Sequence, residues 1–319
     1  MSDARTIDSG NDALAIKKHG AFADFLIRLF REKPLGTVTG IMSLIIVLVA
    51  IFADVLMPYP YQEMHMRDAF QSSSAQYILG TDNLGRDLLS RVIYGTRISI
   101  VVGLVGSLVA TTLSTILGIV SGYFGGKVDI ILQRFVDSWM CFPGLLLMIS
   151  MIAFIGPGLW QVIVVISLLY AIGGSRIIRG AVISTKQNVY VQAAEAIGCS
   201  TPRMLLRHIL PNVMAPVIVL FMTRLPSMIL LEASMSFLGY GIPAPTPSWG
   251  GLLGQSGRNN MLVAPWIALW PGICISLVVF SFNLFGDSVR DLLDPRMRGG
   301  LGRYGGAKIK KSRTSKASV

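Results

Sequence analysis

Charge-free stretches set the architecture of the chain. Residues 98–126, 139–175 and 259–286 contain no Asp, Glu, Lys or Arg. About 20 apolar residues are enough for a helix to cross the roughly 30 Å hydrocarbon core of a bilayer. With the apolar runs near residues 38–57 and 213–240, the pattern predicts an all-α, polytopic membrane protein with six transmembrane helices. The expected spans are 38–57, 98–122, 140–155, 159–174, 213–240 and 264–285. Pro58 and Pro60 end the first, and Gly156-Pro157-Gly158 turns the third into the fourth. Within the second, Gly103, Ser107, Gly118 and Gly122 form small-xxx-small pairs suited to close helix packing.

The polar stretches between spans predict the rest. Residues 21–30 and 129–137 read as amphipathic pieces on the cytoplasmic side. Residues 79–91 place apolar side chains at 84, 88 and 89, continued by 92, which predicts an interfacial helix with Gly80-Thr81-Asp82 as its opening turn. Asp82, Arg86, Asp87 and Arg91 then fall at spacings for local ion pairs on a solvated face. Residues 236–250 carry three alternating prolines and predict a stiff, extended external loop, with Trp249 as an interfacial anchor.

The stretch 188–212 parses into two short helices. Asn188 is placed as an N-cap, and Val189, Ala193, Ala196 and Ile197 share one side of the helix that follows. Gly198 suits a left-handed C-terminal residue. Ser200 or Thr201 can cap a second helix opening at Pro202, in which Met204, Leu205, His208 and Ile209 repeat and which Pro211 stops. Such a rigid knob between spans suits docking into a partner's cleft.

The fifth span carries two charges. Arg224 lies about 16 Å along it and Glu232 about 12 Å further, too far apart for a direct pair on an unbroken helix. A lipid-facing charge at mid-depth would cost about 3 kcal/mol, so Arg224 is expected to face other helices or a wet path. Glue between helices and lining of a path are both open for it; for Glu232 packing is favoured.

Composition agrees with a membrane class: 52% of the 319 residues are hydrophobic and 14% charged, against about 25% charged in soluble domains. The net charge of +11 could suggest nucleic acid, but the basic residues flank the spans, as topology signals do. They place both termini in the cytoplasm. Cys141, Cys199 and Cys274 are scattered, and His19, His65 and His208 lie far apart, so neither a metal site nor a catalytic cluster is indicated. Residues 122–128 have no Walker A sequence, because Ser121 stands for its first glycine and Val128 for its Ser/Thr. A secondary transporter would show an internal repeat and embedded coupling acids, of which only Glu232 is present.

Ala193-Ala194, Gly198 and the closing Ile209-Leu210-Pro211-Asn212 resemble the EAA loop of ABC importer permeases, with Gln192 where that loop has its glutamate. The run LGTDNLGRDLLSR at 79–91, the run SFLGYGIPAPTPSWG at 236–250 and the ending 286–295 resemble the C-type permeases of the dipeptide/oligopeptide/nickel family. The resemblance covers roughly residues 38–295.

It implies an ATPase-docking coupling helix in the cytoplasm, carried by Tyr190, Ala193, Ala194, Ile197, Gly198, Pro202, His208, Leu210 and Pro211. It implies a heterodimer with a homologous permease, two cytoplasmic ATPase subunits that bind ATP and Mg, and an external binding protein. Asp82, Arg86, Asp87 and Trp249 are candidates for an external interface, and Arg224 and Glu232 for path or inter-helix contacts. No cofactor is expected in the chain itself, and its location would be the prokaryotic inner membrane. Residues 1–37 form a cytoplasmic segment, 38–295 the permease domain and 296–319 a basic tail, expected to be disordered and drawn to anionic lipid.

Overall fold

The computed structural model describes residues 21–293; the expectations for residues 1–20 and for the tail 296–319 lie outside them. Among the described residues, the helices of eight residues or more are α1 (Ala21–Glu32), α2 (Pro34–Ile51), α3 (Leu88–Phe124), α4 (Gly126–Met140), α5 (Gly144–Ile155), α6 (Leu159–Lys186), α7 (Val189–Ala196), α8 (Leu210–Phe237) and α9 (Trp266–Leu293). Among the described residues, five stretches are long and apolar enough to cross a membrane, and the pair α4–α5 supplies a sixth crossing if taken as one bent span.

The third span is shorter than expected. Pro143 disfavours helical geometry at Phe142, so α4 ends at Met140 and α5 starts anew at Gly144, bent from α4 by 89°. α5 has only 12 residues, about 18 Å at the helical rise. α4 is tied to α6 by Asp129, whose Oδ1 accepts from Arg179 Nε at 2.6 Å, and by an ion pair between Asp137 and Arg176.

α3 and α6 run parallel and form the central pair. Ser167 Oγ donates to Gly106 O at 3.1 Å and Ser114 Oγ to Ala171 O at 2.8 Å, while Gly118 meets Ile178 and Gly122 meets Val182. The small residues of α3 serve two seams: Gly118 and Gly122 admit α6, whereas Gly103 and Ser107 face Ile229 and Met228 of α8. α2 lies antiparallel to α9, with Lys33 Nζ 2.5 Å from Asp291 Oδ2 and Gly36 against Ser288.

The stretch before α3 is not the interfacial helix that its periodicity predicts. Gly80 and Gly85 take positive φ (80° and 67°), and Thr81 bridges to Asp87 in a tight turn. Helix begins only at Leu88, where Asp87 Oδ2 accepts from Ser90 N at 2.8 Å, and then runs unbroken for 37 residues into the second span. Residues 57–87, the start of α3 and the loop 238–265 build a cap at one end of the bundle. The segment 187–209 lies at the other.

Candidate functional site

Two places gather the predicted residues: the loop between α6 and α8, and the polar groups buried along α8.

In the loop, Asn188 holds the N-cap position of α7, but its side chain turns back and donates to Thr185 O at 3.0 Å. Gly198 closes α7 with φ +79°, and Cys199 N returns to Ala194 O at 3.1 Å. Pro202 sits in the first turn of the next helix, as expected. Pro211 does not stop that helix. The chain widens into a π-type turn at Met204–Ile209, with Leu210 N bonded to Leu205 O, and continues into α8. The wide turn suits a residue that has no N–H to give. Asn212 Nδ2 donates to His208 O at 2.7 Å beside it.

The inward side of α7 differs from the one the apolar spacing suggests. Val191 and Ala194 are buried, packed with Met204, Ile209 and Val213 against Ile178 and Val182 of α6. Val189 and Ile197 are 80% and 85% exposed, and Tyr190 and Ala193 are exposed with them. Of the adjacent alanines, then, Ala193 belongs to the free face and Ala194 to the loop's own core. Exposed Leu206, which no motif or spacing singles out, lies on the wide turn; Pro202 and Pro211 are exposed, and His208 and Leu210 half-buried.

Both charges of α8 turn into the bundle. Arg224 is buried, its Nη1 3.3 Å from Ser114 Oγ on α3 and its guanidinium 5.3 Å from the Tyr170 ring centroid on α6. A side chain at Gly174 would overlap it. Glu232 is fully buried: Oε1 accepts from Ser236 Oγ at 2.7 Å and Oε2 from Ser99 Oγ at 3.3 Å, with Ser248 also bonding the carboxylate. Apart from Ser236, four residues on along α8 itself, these partners come from α3, α6 and the cap loop, where no local sequence signal pointed to them.

The cap encloses what the sequence placed on its surface. Asp82, Arg86, Asp87, Arg91 and Trp249 are all buried. Asp82 Oδ2 lies 2.7 Å from Arg86 Nε and 3.5 Å from Arg91 Nε, and Arg91 Nη1 donates to Tyr61 O at 3.1 Å. Trp249 Nε1 donates to Val92 O at 3.1 Å over Gly95, as a plug rather than an interfacial anchor. Burial and a hydrogen bond to Asp68 push the Tyr77 phenol up to about 12. Arg86 and Asp82 brace the cap internally, and Asp82, Asp87, Arg91 and Trp249 tie it to α3, so the five are not a free interface. Asp82→Ala strands two buried guanidinium groups and is expected to destabilise the protein by about 3–5 kcal/mol, read as a lower midpoint in thermal unfolding of the detergent-purified chain.

A multi-pass helical bundle with one short, outward-facing apolar helix at its end defines a membrane subunit built to work with partners. Residues 114–299 match the family described as binding-protein-dependent transport system inner membrane component, and residues 22–75 match the N-terminal membrane domain of oligopeptide transport permease C. The glutathione transport system permease protein GsiD of Pectobacterium atrosepticum is 36% identical over 272 residues, covering 85% of this chain and 90% of its own. The dipeptide transport system permease protein DppC of Alkalihalophilus pseudofirmus is 38% identical over 268 residues, covering 84% and 88%. Among solved structures, a chain of the inward-facing MetNI methionine ABC transporter matches with TM-score 0.47 and 19% identity, over 63% of this chain and 96% of that one.

The chain belongs to the binding-protein-dependent transport system inner membrane components and is an ABC importer permease of the peptide family, a transport subunit and not an enzyme. Membership brings ATPase and binding-protein partners and a place in the inner membrane.

Proposed function

We propose that the chain forms half of a heterodimeric permease that imports peptides or peptide-like solutes handed over by an external binding protein. Two ATPase subunits drive the cycle from the cytoplasm, and one of them seats the face of Val189, Tyr190, Ala193 and Ile197. That face carries the reading: large apolar groups at 80% and 85% exposure, at the first residue and the C-cap of an eight-residue helix outside the spans, call for a protein partner. ATP and Mg belong to the ATPases, and this chain holds no cofactor. The substrate class rests on the relatives, a glutathione and a dipeptide permease. In this reading both termini and Gly198 are cytoplasmic and the cap is external.

The test is uptake of labelled dipeptide and glutathione into proteoliposomes holding the homologous permease, both ATPases and the binding protein. ATP-dependent accumulation that stops when the ATPase Walker lysine is replaced is expected. Accumulation driven by an ion gradient with the ATPases inactive would overturn the proposal. Topology has its own check: a thiol reagent confined to the outside should leave Cys199, in the loop, unmodified in intact cells.

A further inference from the structure

α8 changes character at Arg224. Beyond it, toward the cap, the helix is pressed against α3 and the loop 238–265, with a groove of about 390 Å³ left on its other side between Leu230, Ser234, Phe237 and Ile275. A Cβ at Gly103 would come within 2.7 Å of Ile229 Cγ1, and one at Gly106 within 2.8 Å of Met228 Sδ. Gly250 and Gly254 abut the backbone of Ala233 and Phe237, where an added Cβ would lie 2.4 and 2.5 Å from the nearest atoms. Glu232 is held by hydroxyls from three parts of the chain.

Toward the loop the same helix is loose. An apolar groove of about 720 Å³ separates it from α3, between Leu108, Thr112 and Ile116 on one wall and Met214, Ile218 and Phe221 on the other. A second, of about 440 Å³, opens on another side of the helix, between Ile177, Val219 and Leu293. Pro216 lies within this half and Pro226 just past the boundary, and each removes a helical hydrogen bond and softens the rod against bending.

Arg224 stands where the two regimes meet, fixed to α3 through Ser114 and to α6 through Tyr170. We propose that Arg224 is a positioning residue, the fulcrum about which residues 210–223 swing with the coupling loop while residues 225–237 stay still. The inference rests on the docking of an ATPase at that loop. A guanidinium reaching two helices fixes one point of α8 sideways yet leaves the helix free to pivot there. Apolar contacts alone could slide. Releasing the clamp would leave a cation without partners at mid-membrane depth, so it stays engaged through the cycle. The two grooves supply the clearance.

Two spin-label pairs, introduced with Cys141, Cys199 and Cys274 replaced by serine, test this in the full complex in nanodiscs. One pair, Thr112→Cys with Met214→Cys, spans the larger groove; the other, Ser234→Cys with Ser276→Cys, joins the cap half of α8 to α9. Between nucleotide-free and vanadate-trapped states the first distance is expected to change by more than about 2 Å, the scale of helix shifts in switching proteins, and the second to stay fixed. Arg224→Met is expected to lower solute imported per ATP hydrolysed at least tenfold, with ATPases still bound, and Arg224→Lys to retain most of that ratio. A general loss of stability would lower uptake and hydrolysis together and leave the ratio unchanged. Equal movement of both pairs, no movement with ATPases bound, or a wild-type ratio in Arg224→Met would each overturn the fulcrum. Failure of the ATPases to co-purify with the wild-type permease would instead remove the docking reading, and the fulcrum with it.

Discussion

Ile197→Asp is expected to release the ATPase subunits from the permease while leaving the permease itself inserted and folded. The side chain is 85% exposed, so the substitution removes nothing from the chain's own core. Burying an isoleucine at an interface contributes about 1.5–3 kcal/mol, and forcing an unpaired carboxylate into the same apolar contact adds a further penalty. Together these correspond to a loss of affinity of roughly a hundredfold or more, since each 1.4 kcal/mol is about tenfold. Co-purification of the ATPases should therefore fall to background and uptake with it, at an unchanged unfolding midpoint. Normal ATPase recovery with Ile197→Asp would remove this face from the docking surface.

Ala194→Trp is a different experiment from the one its motif position suggests. Ala194 is buried against α6 with Val191 and Met204. An indole there overpacks the loop and is expected to cost about 1–3 kcal/mol of local stability, seen as increased protease sensitivity of residues 187–209. Ala193→Trp, on the exposed face, is the variant that adds bulk only where a partner would sit.

The difference between these alanines marks where the sequence stops informing. Val189, Ala193, Ala196 and Ile197 form a proper helical stripe, and in a soluble helix that stripe would point inward. A docking helix is apolar on two sides, and spacing alone cannot say which side the chain itself covers. Residues 79–91 fail for another reason: their apolar positions fit a helix, yet Gly80 and Gly85 adopt φ values that a helix excludes. Trp249 follows the rule for membrane-interface aromatics only until the fold supplies Gly95 as a floor for its ring. By contrast, the long apolar runs, Gly198 at the end of α7 and the sheltering of Arg224 were legible, because each follows from a local or solvent constraint that tertiary context does not change.

The small residues of the second span were legible as packing devices, and the structure makes one of them decisive. Gly118 of α3 faces α6 so closely that a Cβ would lie 2.7 Å from Ile178 Cβ, 2.8 Å from Ser175 O and 2.9 Å from Arg179 N. Two of those three atoms are backbone within a helix, so they cannot move without displacing α6 as a unit. Gly118→Leu is therefore expected to lie at the upper end of overpacking costs, about 3 kcal/mol or more, against a total stability that for most proteins is only about 5–15 kcal/mol. Gly173→Leu makes the same chemical change within α6, where nothing lies within 4 Å of the added Cβ. There the better helix former should be neutral or stabilising by up to about 1 kcal/mol. Fluorescence-detected size-exclusion after a heating series reads both: Gly118→Leu should lose its monodisperse peak at the lowest temperatures tested, and Gly173→Leu should follow the unmodified protein. If Gly118→Leu melted with the unmodified protein, α3 and α6 could not be in the parallel contact that carries the rest of the bundle.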